Sequence, residues 1–123
     1  MSSDTSTNLQ GVLAEHIAAV NAFDEDRIVA TFAADALVND ARREFQGIDS
    51  IRRWVAKEMV GDRVTIDVTD VIDHYGQTIV RGRYDGNYDK SNLPDELILT
   101  NYFAVHDGKI TSLIVIFNQP ATY

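Results

Sequence analysis

The spacing of apolar residues predicts helices in the first half of the chain and strands in the second. Apolar positions recur at helical intervals over residues 7 to 21, where Thr7 and Gln10 have the spacing of a capping box. Asp24 is a typical N-cap residue, so a second helix is expected directly after it. A third helix is expected from about Ile48 to Val60. Each helix is apolar along one face and must pack that face against another element.

Apolar and polar residues alternate in the second half of the chain, which is typical of β-strands. Turn sequences at Tyr75-Gly76 and Asp107-Gly108 arrange this region as two hairpins. The last strand is apolar on both faces from Leu113 to Phe117, so both faces are expected to be covered. Three helices followed by a four-stranded antiparallel meander predict an α+β domain. Its curved sheet, over residues 62 to 117, should hold the helices in its concave face.

A short segment between the second and third helices carries the most informative polar residue. Helical spacing gives way to alternation at Ala36, Val38 and Asp40, which indicates a short strand whose inward row ends in a carboxylate. Asp40 is then either a turn-former that points back to solvent or a group buried in the interior. The polar residues 41 to 47 that follow are expected to form a loop.

Two side chains on the predicted apolar faces could serve chemistry as well as packing. His16 lies within the apolar stripe of the first helix, so its imidazole should point at the core or at a cavity inside it. A lone histidine there is more often a satisfied core residue than a catalytic one. Trp54 faces inward from the third helix and is equally compatible with plain core and with the lining of a ligand site.

Composition narrows the possible functions. The chain has 123 residues without a linker-like stretch, so one domain is expected over residues 1–123, with residues 1–6 disordered. Cysteine is absent and His16, His74 and His106 are scattered, so no metal site is predicted. A net charge of -8 disfavours nucleic acid and anionic membranes as partners. Without a membrane-spanning apolar run or a signal peptide, the expected location is cytoplasmic.

The order of these elements resembles a known superfamily. Residues Phe32 to Asp40, followed by a loop that closes on Gly47 to Ile51, resemble the NTF2-like superfamily. The ending, from Asn101 to Phe103 and from Asp107 to Ile110, resembles its SnoaL-like branch. The resemblance extends from about Leu9 to Phe117 and implies a cone, with three N-terminal helices packed in the concave face of a curved antiparallel sheet. It implies function less specifically, because the fold carries isomerases, cyclases, dehydratases, epoxide hydrolases and binding domains.

Within that superfamily, the chain has a distant resemblance to steroid Δ5-3-ketoisomerase. The resemblance places Asp40 at the position of the general-base aspartate and His16 at the position of the oxyanion-binding tyrosine. The second oxyanion donor falls at Thr100. The supporting tyrosines fall at Phe32 and Val55, which carry no hydroxyl. What the resemblance implies is therefore a carboxylate base, Asp40, opposite a potential donor, His16, in one mostly apolar cavity.

The same resemblance implies a set of substrate-binding residues, most of which could also be plain core. They are Trp54, Tyr84, Ile98, Thr100, Tyr102, Leu113, Val115 and Phe117.

Two function classes remain open at this point. One is a cofactor-independent isomerase, cyclase or dehydratase that acts on a small, largely apolar molecule with Asp40 as the general base. The other is a non-catalytic, dimeric ligand-binding or association domain. A homodimer through the outer face of the sheet is expected in either case, because the strand from Leu113 to Phe117 is apolar on both sides.

Overall fold

The computed structural model describes residues 9–91, 93 and 96–117, and the expected disorder of residues 1–6 lies outside them. The helices are α1 (Gly11–Asn21), α2 (Glu25–Ala30) and α3 (Ile48–Trp54), and a π-helix (Val55–Val60) continues α3. The strands are β1 (Phe32–Asp40), β2 (Arg43–Gln46), β3 (Thr65–His74), β4 (Gln77–Asp85), β5 (Leu97–His106) and β6 (Lys109–Phe117). The predicted α+β class is confirmed. No helix in the described ranges is long and apolar enough to cross a membrane.

All six strands form one sheet in the order β2-β1-β6-β5-β4-β3. Strands β3, β4, β5 and β6 pair antiparallel with one another in chain order, as predicted for residues 62 to 117. Strand β1 pairs antiparallel with β2 and parallel with β6, and the sequence patterns did not predict this parallel pair. It places the end of β1 next to the middle of β6, with Asp40 opposite Val115.

The prediction of a loop over residues 41 to 47 is wrong, because Arg43–Gln46 forms β2. This strand is short and mostly polar, so it has no apolar alternation that would identify it. Its connection to β1 is also unusual for a two-residue hairpin turn. Both central residues, Ala41 and Arg42, have positive φ angles of 53° and 71°, where glycine and asparagine are normally preferred.

The helix boundaries follow the predicted pattern with one correction. The first helix is expected to include Leu9 and Gln10, but α1 begins at Gly11, because Gln10 is extended and makes no capping hydrogen bond through its side chain. Thr7 of the predicted capping box lies outside the described residues. Asp24 is the N-cap of α2, as predicted, and its carboxylate accepts a hydrogen bond from the backbone N–H of Arg27 at 3.2 Å.

The core lies between the helices and the inward face of the curved sheet. Ala36 and Val38 of β1 are fully buried, as their alternation predicts, and Val80 of β4 is also fully buried. Asn21, at the end of α1, fixes the helix to the edge strand β3. Its amide donates to the carbonyl of Ile66 at 3.0 Å and accepts from the N–H of Ile66 at 2.7 Å.

Candidate functional site

A cavity of about 350 Å³ lies between the helices and the sheet. Its size falls within the range of small-molecule sites. The polar lining residues are His16, Asp40, Arg43, Glu58, Asp62, Tyr84, Tyr88 and Asn101. The apolar lining residues are Trp54, Met59, Val64, Ile66, Leu93, Leu97, Leu99, Phe103, Leu113 and Val115.

Asp40 lies at the end of β1 and presents its carboxylate to this cavity. Its Oδ2 accepts hydrogen bonds from Trp54 Nε1 at 3.1 Å and from Arg43 Nη2 at 2.8 Å. The side chain is 22% exposed. Within the described part of the chain, no side chain or backbone group donates a hydrogen bond to Oδ1. One carboxylate oxygen is therefore held by the protein, and the other is available to a ligand.

Neither sequence-based alternative for Asp40 describes this arrangement fully. Asp40 is not the turn-forming side chain, because Asn39 Oδ1 accepts the hydrogen bond from the backbone N–H of Arg42 at 3.1 Å. It is not an isolated buried acid either, because the guanidinium of Arg43 and the indole N–H of Trp54 both donate to its carboxylate.

Arg43 reaches Asp40 because β2 pairs with β1 directly opposite it. The guanidinium also donates to both carboxylate oxygens of Glu58, each at 2.7 Å. The hydrogen bond with Glu58 raises the pKa of Arg43 above its ordinary value, so Arg43 stays cationic at any working pH. Sequence reasoning missed Arg43 and Glu58, since it assigned no strand to residues 41 to 47.

The π-helix explains why three residues of one helical segment reach the same cavity. Trp54, Glu58 and Met59 all line it. A π-helix makes i to i+5 hydrogen bonds and has a wider turn than an α-helix, so positions four and five residues apart can share a face. Trp54 is buried and stacks on Phe45 with ring centroids 5.9 Å apart. Phe45, the half-buried residue of β2, thus supports the ring that binds Asp40.

His16 projects from α1 into the interior and is 1% exposed. Its Nδ1 lies 3.0 Å from the hydroxyl oxygen of Thr31. That hydroxyl donates its own hydrogen to the carbonyl of Ile28 at 2.6 Å, so its oxygen must accept the hydrogen of Nδ1. Burial lowers the pKa of His16 to about 4, which makes the ring neutral near pH 7. The neutral ring then carries its one hydrogen on Nδ1 and a lone pair on Nε2.

The lone pair of His16 Nε2 is directed to the cavity. None of the described residues forms a hydrogen bond with Nε2, yet no buried side-chain nitrogen or oxygen among them lacks a partner. Because His16 lines the cavity, Nε2 must reach its surface. A neutral His16 with its hydrogen on Nδ1 would be an acceptor at Nε2 rather than the donor that the resemblance implies, and its role in a site stays a prediction. Between the described side chains of His16 and Asp40 there is no hydrogen bond, although both line one cavity.

The face of β5 that lines the cavity is not the expected one. The predicted lining residues Ile98, Thr100 and Tyr102 lie on the opposite face of the sheet. The register pairs Asn101 with the inward residue Val80, and neighbouring residues of a strand point to opposite faces. Both rows of β5 are rich in apolar residues, so alternation alone does not tell which row faces inward.

Asn101 is the functional candidate that sequence reasoning missed on this strand. It is buried, and its Nδ2 donates to the carbonyl of Val80 at 3.2 Å, which fixes the orientation of the amide. Its Oδ1 accepts the hydroxyl hydrogen of Tyr84 at 2.9 Å. Burial raises the pKa of Tyr84, so this hydroxyl stays protonated. Asn101 alternates with Leu97, Leu99 and Phe103 along β5. This apolar row is the sequence signal that could have identified Asn101 as an inward-facing polar residue.

The remaining predicted lining residues fall as follows. Trp54, Tyr84, Leu113 and Val115 line the cavity. Phe117 is the last residue of β6, and its side chain lies outside the described part of the structure. The assignment of any of these residues to substrate binding stays a prediction.

Comparison with known families decides the relationship of the chain. A model of the SnoaL-like domain matches residues 13–113. The chain belongs to the SnoaL-like family. The predicted resemblance is confirmed, and the three helices with the curved six-stranded sheet form the NTF2-like cone. No curated protein sequence matches this SnoaL-like chain.

Solved structures share its fold at low sequence identity. A proposed polyketide cyclase from Sinorhizobium meliloti is 24% identical over 88% of this chain and 95% of its own, with a TM-score of 0.78. A ketosteroid isomerase-like protein from Catenulispora acidiphila, in complex with trimethylamine, is 17% identical over 89% and 86%, with a TM-score of 0.74. A proposed ketosteroid isomerase from Kribbella flavida is 11% identical over 91% and 78%, with a TM-score of 0.73. Identities this low establish the fold and leave the chemistry to the site itself.

Proposed function

We propose that this SnoaL-like protein binds a small, largely apolar molecule in its cavity and catalyses proton transfer there without a cofactor, with Asp40 as the general base. The observation that carries the proposal is the asymmetric binding of the Asp40 carboxylate. Oδ2 receives two protein hydrogen bonds, Oδ1 receives none from the described residues, and the side chain lines the cavity. A carboxylate held in this way has a fixed orientation and a free oxygen that can accept a proton.

The surroundings of Asp40 set the strength of this base. Arg43 donates to the carboxylate, and the same guanidinium is shared with Glu58. The cavity residues beside Asp40 include the apolar side chain of Val115, and an apolar surrounding strengthens the interaction of a carboxylate oxygen with an acidic C–H group. Isomerisation, cyclisation and dehydration of carbonyl compounds all begin with such a proton transfer.

A nitrobenzisoxazole tests the proposed base without knowledge of the natural substrate. A general base removes the ring C–H proton, the N–O bond breaks, and a coloured cyanophenolate forms. We expect measurable turnover that Asp40→Asn lowers by about a hundredfold or more, since the amide keeps the shape but cannot accept a proton. Asp35→Asn is the matched control, because Asp35 lies on the same strand and is exposed. Equal rates for the wild type and Asp40→Asn would contradict the catalytic role.

The non-catalytic alternative also has a specific observation in its favour. Asp40 Oδ2 connects three elements, because it joins β1 to β2 through Arg43 and to α3 through Trp54. A purely structural Asp40 would make Asp40→Asn lower the free energy of unfolding while ligand binding continues. Binding of apolar probes without turnover of the nitrobenzisoxazole would favour this ligand-binding domain over the enzyme.

A further inference from the structure

We propose that the cavity selects an uncharged hydroxyl compound, an alcohol or phenol on an apolar body, and that His16 Nε2 accepts the hydrogen of this hydroxyl. The inference deepens the proposed function and rests on its binding step, but it does not require that Asp40 catalyse a reaction. It follows from which hydrogen-bonding atoms in the cavity are already used.

The donors on the inner wall are almost all bound to protein acceptors. Trp54 Nε1 donates to Asp40, and the hydroxyl of Tyr84 donates to Asn101. His16 gives its only ring hydrogen to Thr31. Asn101 uses one amide hydrogen on the carbonyl of Val80, which leaves its second amide hydrogen as a donor, and the hydroxyl of Tyr88, which also lines the cavity, makes no hydrogen bond with the described residues.

Two acceptors of the cavity residues are free of protein donors. His16 Nε2 and Asp40 Oδ1 receive no hydrogen bond from the described residues, and both residues line the cavity. The hydroxyl oxygen of Tyr84 has lone pairs in addition to the hydrogen that it donates. A ligand whose polar groups are only acceptors would leave these atoms unpaired, whereas a ligand with a hydroxyl group would satisfy one of them.

The imidazole is held rigidly in this orientation. The rings of Phe32 and Phe103 pack edge-on against it, with centroid distances of 5.4 and 5.5 Å. Rotation of the ring to exchange its edges would break the hydrogen bond with Thr31 and leave a buried polar group without a partner. The acceptor at Nε2 is therefore part of the folded structure before a ligand arrives.

Charge around the cavity separates hydroxyl compounds from other ligands. A carboxylate ligand would meet Asp40, Glu58 and Asp62, while Arg43 is already paired with two acids. An ammonium ligand could pair with Asp40, but an ammonium group that donated to His16 Nε2 would lose its hydration beside Phe103, because the ring of His16 contacts the uncharged side chains of Thr31, Phe32 and Phe103. A neutral hydroxyl compound avoids both costs.

Four probes of similar shape test this selection: p-propylphenol, its methyl ether, p-propylacetophenone and p-propylbenzylamine. Trp54 is the only tryptophan in the chain and lines the cavity, so its fluorescence reports binding. We expect the phenol to bind roughly tenfold more tightly than the ether, since they differ by one hydrogen-bond donor. His16→Phe should remove this preference. His74→Phe is the matched control and should retain it, because His74 is exposed.

The ¹⁵N spectrum of the wild-type histidines tests the same proposal without a substitution that could disturb folding. We expect a hydrogen on Nδ1 of His16 and a pyridine-like Nε2 whose signal shifts with the phenol and not with the ether. A hydrogen on Nε2, an ether that binds as tightly as the phenol, or tighter binding of the ketone or amine would each overturn the proposal while the proposed function stands. If none of the probes binds, both this inference and the proposed binding function are wrong.

Discussion

Each end of the cavity holds a titratable side chain next to apolar residues, and the two ends stabilise that side chain in opposite ways. At the His16 end, formed by His16, Thr31, Phe32 and Phe103, the titratable ring is neutral and almost fully buried. At the Asp40 end, formed by Asp40, Arg43, Trp54 and Glu58, the guanidinium forms ion pairs with both carboxylates, and these three groups are partly exposed. Burial removes the charge at one end, and pairing with an opposite charge preserves it at the other.

This difference indicates a division of roles. A neutral group in fixed packing can orient a ligand, but it offers little change of charge for chemistry near pH 7. A charged carboxylate with one free oxygen can take up a proton and return it. Substitutions at the two ends should therefore affect different measurements.

Acidification should destabilise the protein through the His16 end. The pKa of His16 is about 4 in the folded chain and 6.5 for an unperturbed histidine, so the unfolded state binds more protons between these values. The stability from the neutral ring is fully present above pH 6.5 and is lost as the pH falls towards 4. The total loss corresponds to about 3 kcal/mol.

Urea unfolding across this pH range measures the effect. His16→Asn, which cannot titrate, should show a flatter dependence of unfolding free energy on pH, whatever its stability at pH 7. His74→Asn should keep the wild-type dependence, because His74 is exposed. Equal slopes for the wild type and His16→Asn would show that the ring is not held neutral by burial.

The outer face of the sheet belongs to neither end of the cavity and tests the predicted homodimer. Ile114 and Ile116 are 39% and 46% exposed there, so the described residues leave this side of β6 partly uncovered. We propose that a second copy of the chain covers them. Ile116→Lys should weaken association at least tenfold by placing a charge in an apolar interface, with ligand binding unchanged.

Sedimentation at micromolar protein concentration distinguishes the outcomes. Val105→Lys is the control. Val105 is 39% exposed, but it pairs with the buried Ile110 and so lies on the inward face of the sheet, away from Ile114 and Ile116. A wild-type protein that sediments as a monomer would contradict the dimer.

Removal of Arg43 should weaken the Asp40 end by a smaller amount. Arg43→Met leaves the carboxylates of Asp40 and Glu58 close together without a cation between them. Because the guanidinium is half exposed, solvent screens the interaction and the expected loss is about 1 kcal/mol. Arg27→Met is the control, since Arg27 makes a similar two-pronged contact with the exposed Glu15. Denaturant unfolding should give a smaller loss for Arg27→Met, and an equal or larger one would show that the Asp40 end is an ordinary surface ion pair.

Local sequence patterns predicted the parts of this site that depend on local structure. The inward row of Ala36 and Val38 and the N-cap Asp24 follow from spacing and capping preference, and the structure has them as expected. The same kind of pattern put His16 at an inward position and left Asp40 as either a turn-former or a buried group, and the resemblance to steroid Δ5-3-ketoisomerase implied the one cavity that both residues line.

The rest of the site depends on pairing between distant segments, which spacing does not encode. The hydrogen bond between His16 and Thr31 sets the tautomer and joins α1 to the residue that precedes β1. The register between β4 and β5 decides that Asn101, rather than Thr100, faces the cavity. A shift of one residue in that register reverses the two faces, and neither row of β5 is polar enough to exclude the wrong choice.

The smallest expected effect concerns the turn that holds the Asp40 end together. Ala41 and Arg42 both have positive φ angles, and this turn places Arg43 opposite Asp40. A side chain in the left-handed region costs about 1 kcal/mol, whereas glycine adopts it freely but loses more entropy on folding. Arg42→Gly should therefore raise the free energy of unfolding by about 0.5 kcal/mol, and Arg42→Ala, which keeps the strained Cβ, should not. If Arg42→Gly is less stable than Arg42→Ala in urea unfolding, then the turn is not strained and the position of Arg43 depends on its ion pairs alone.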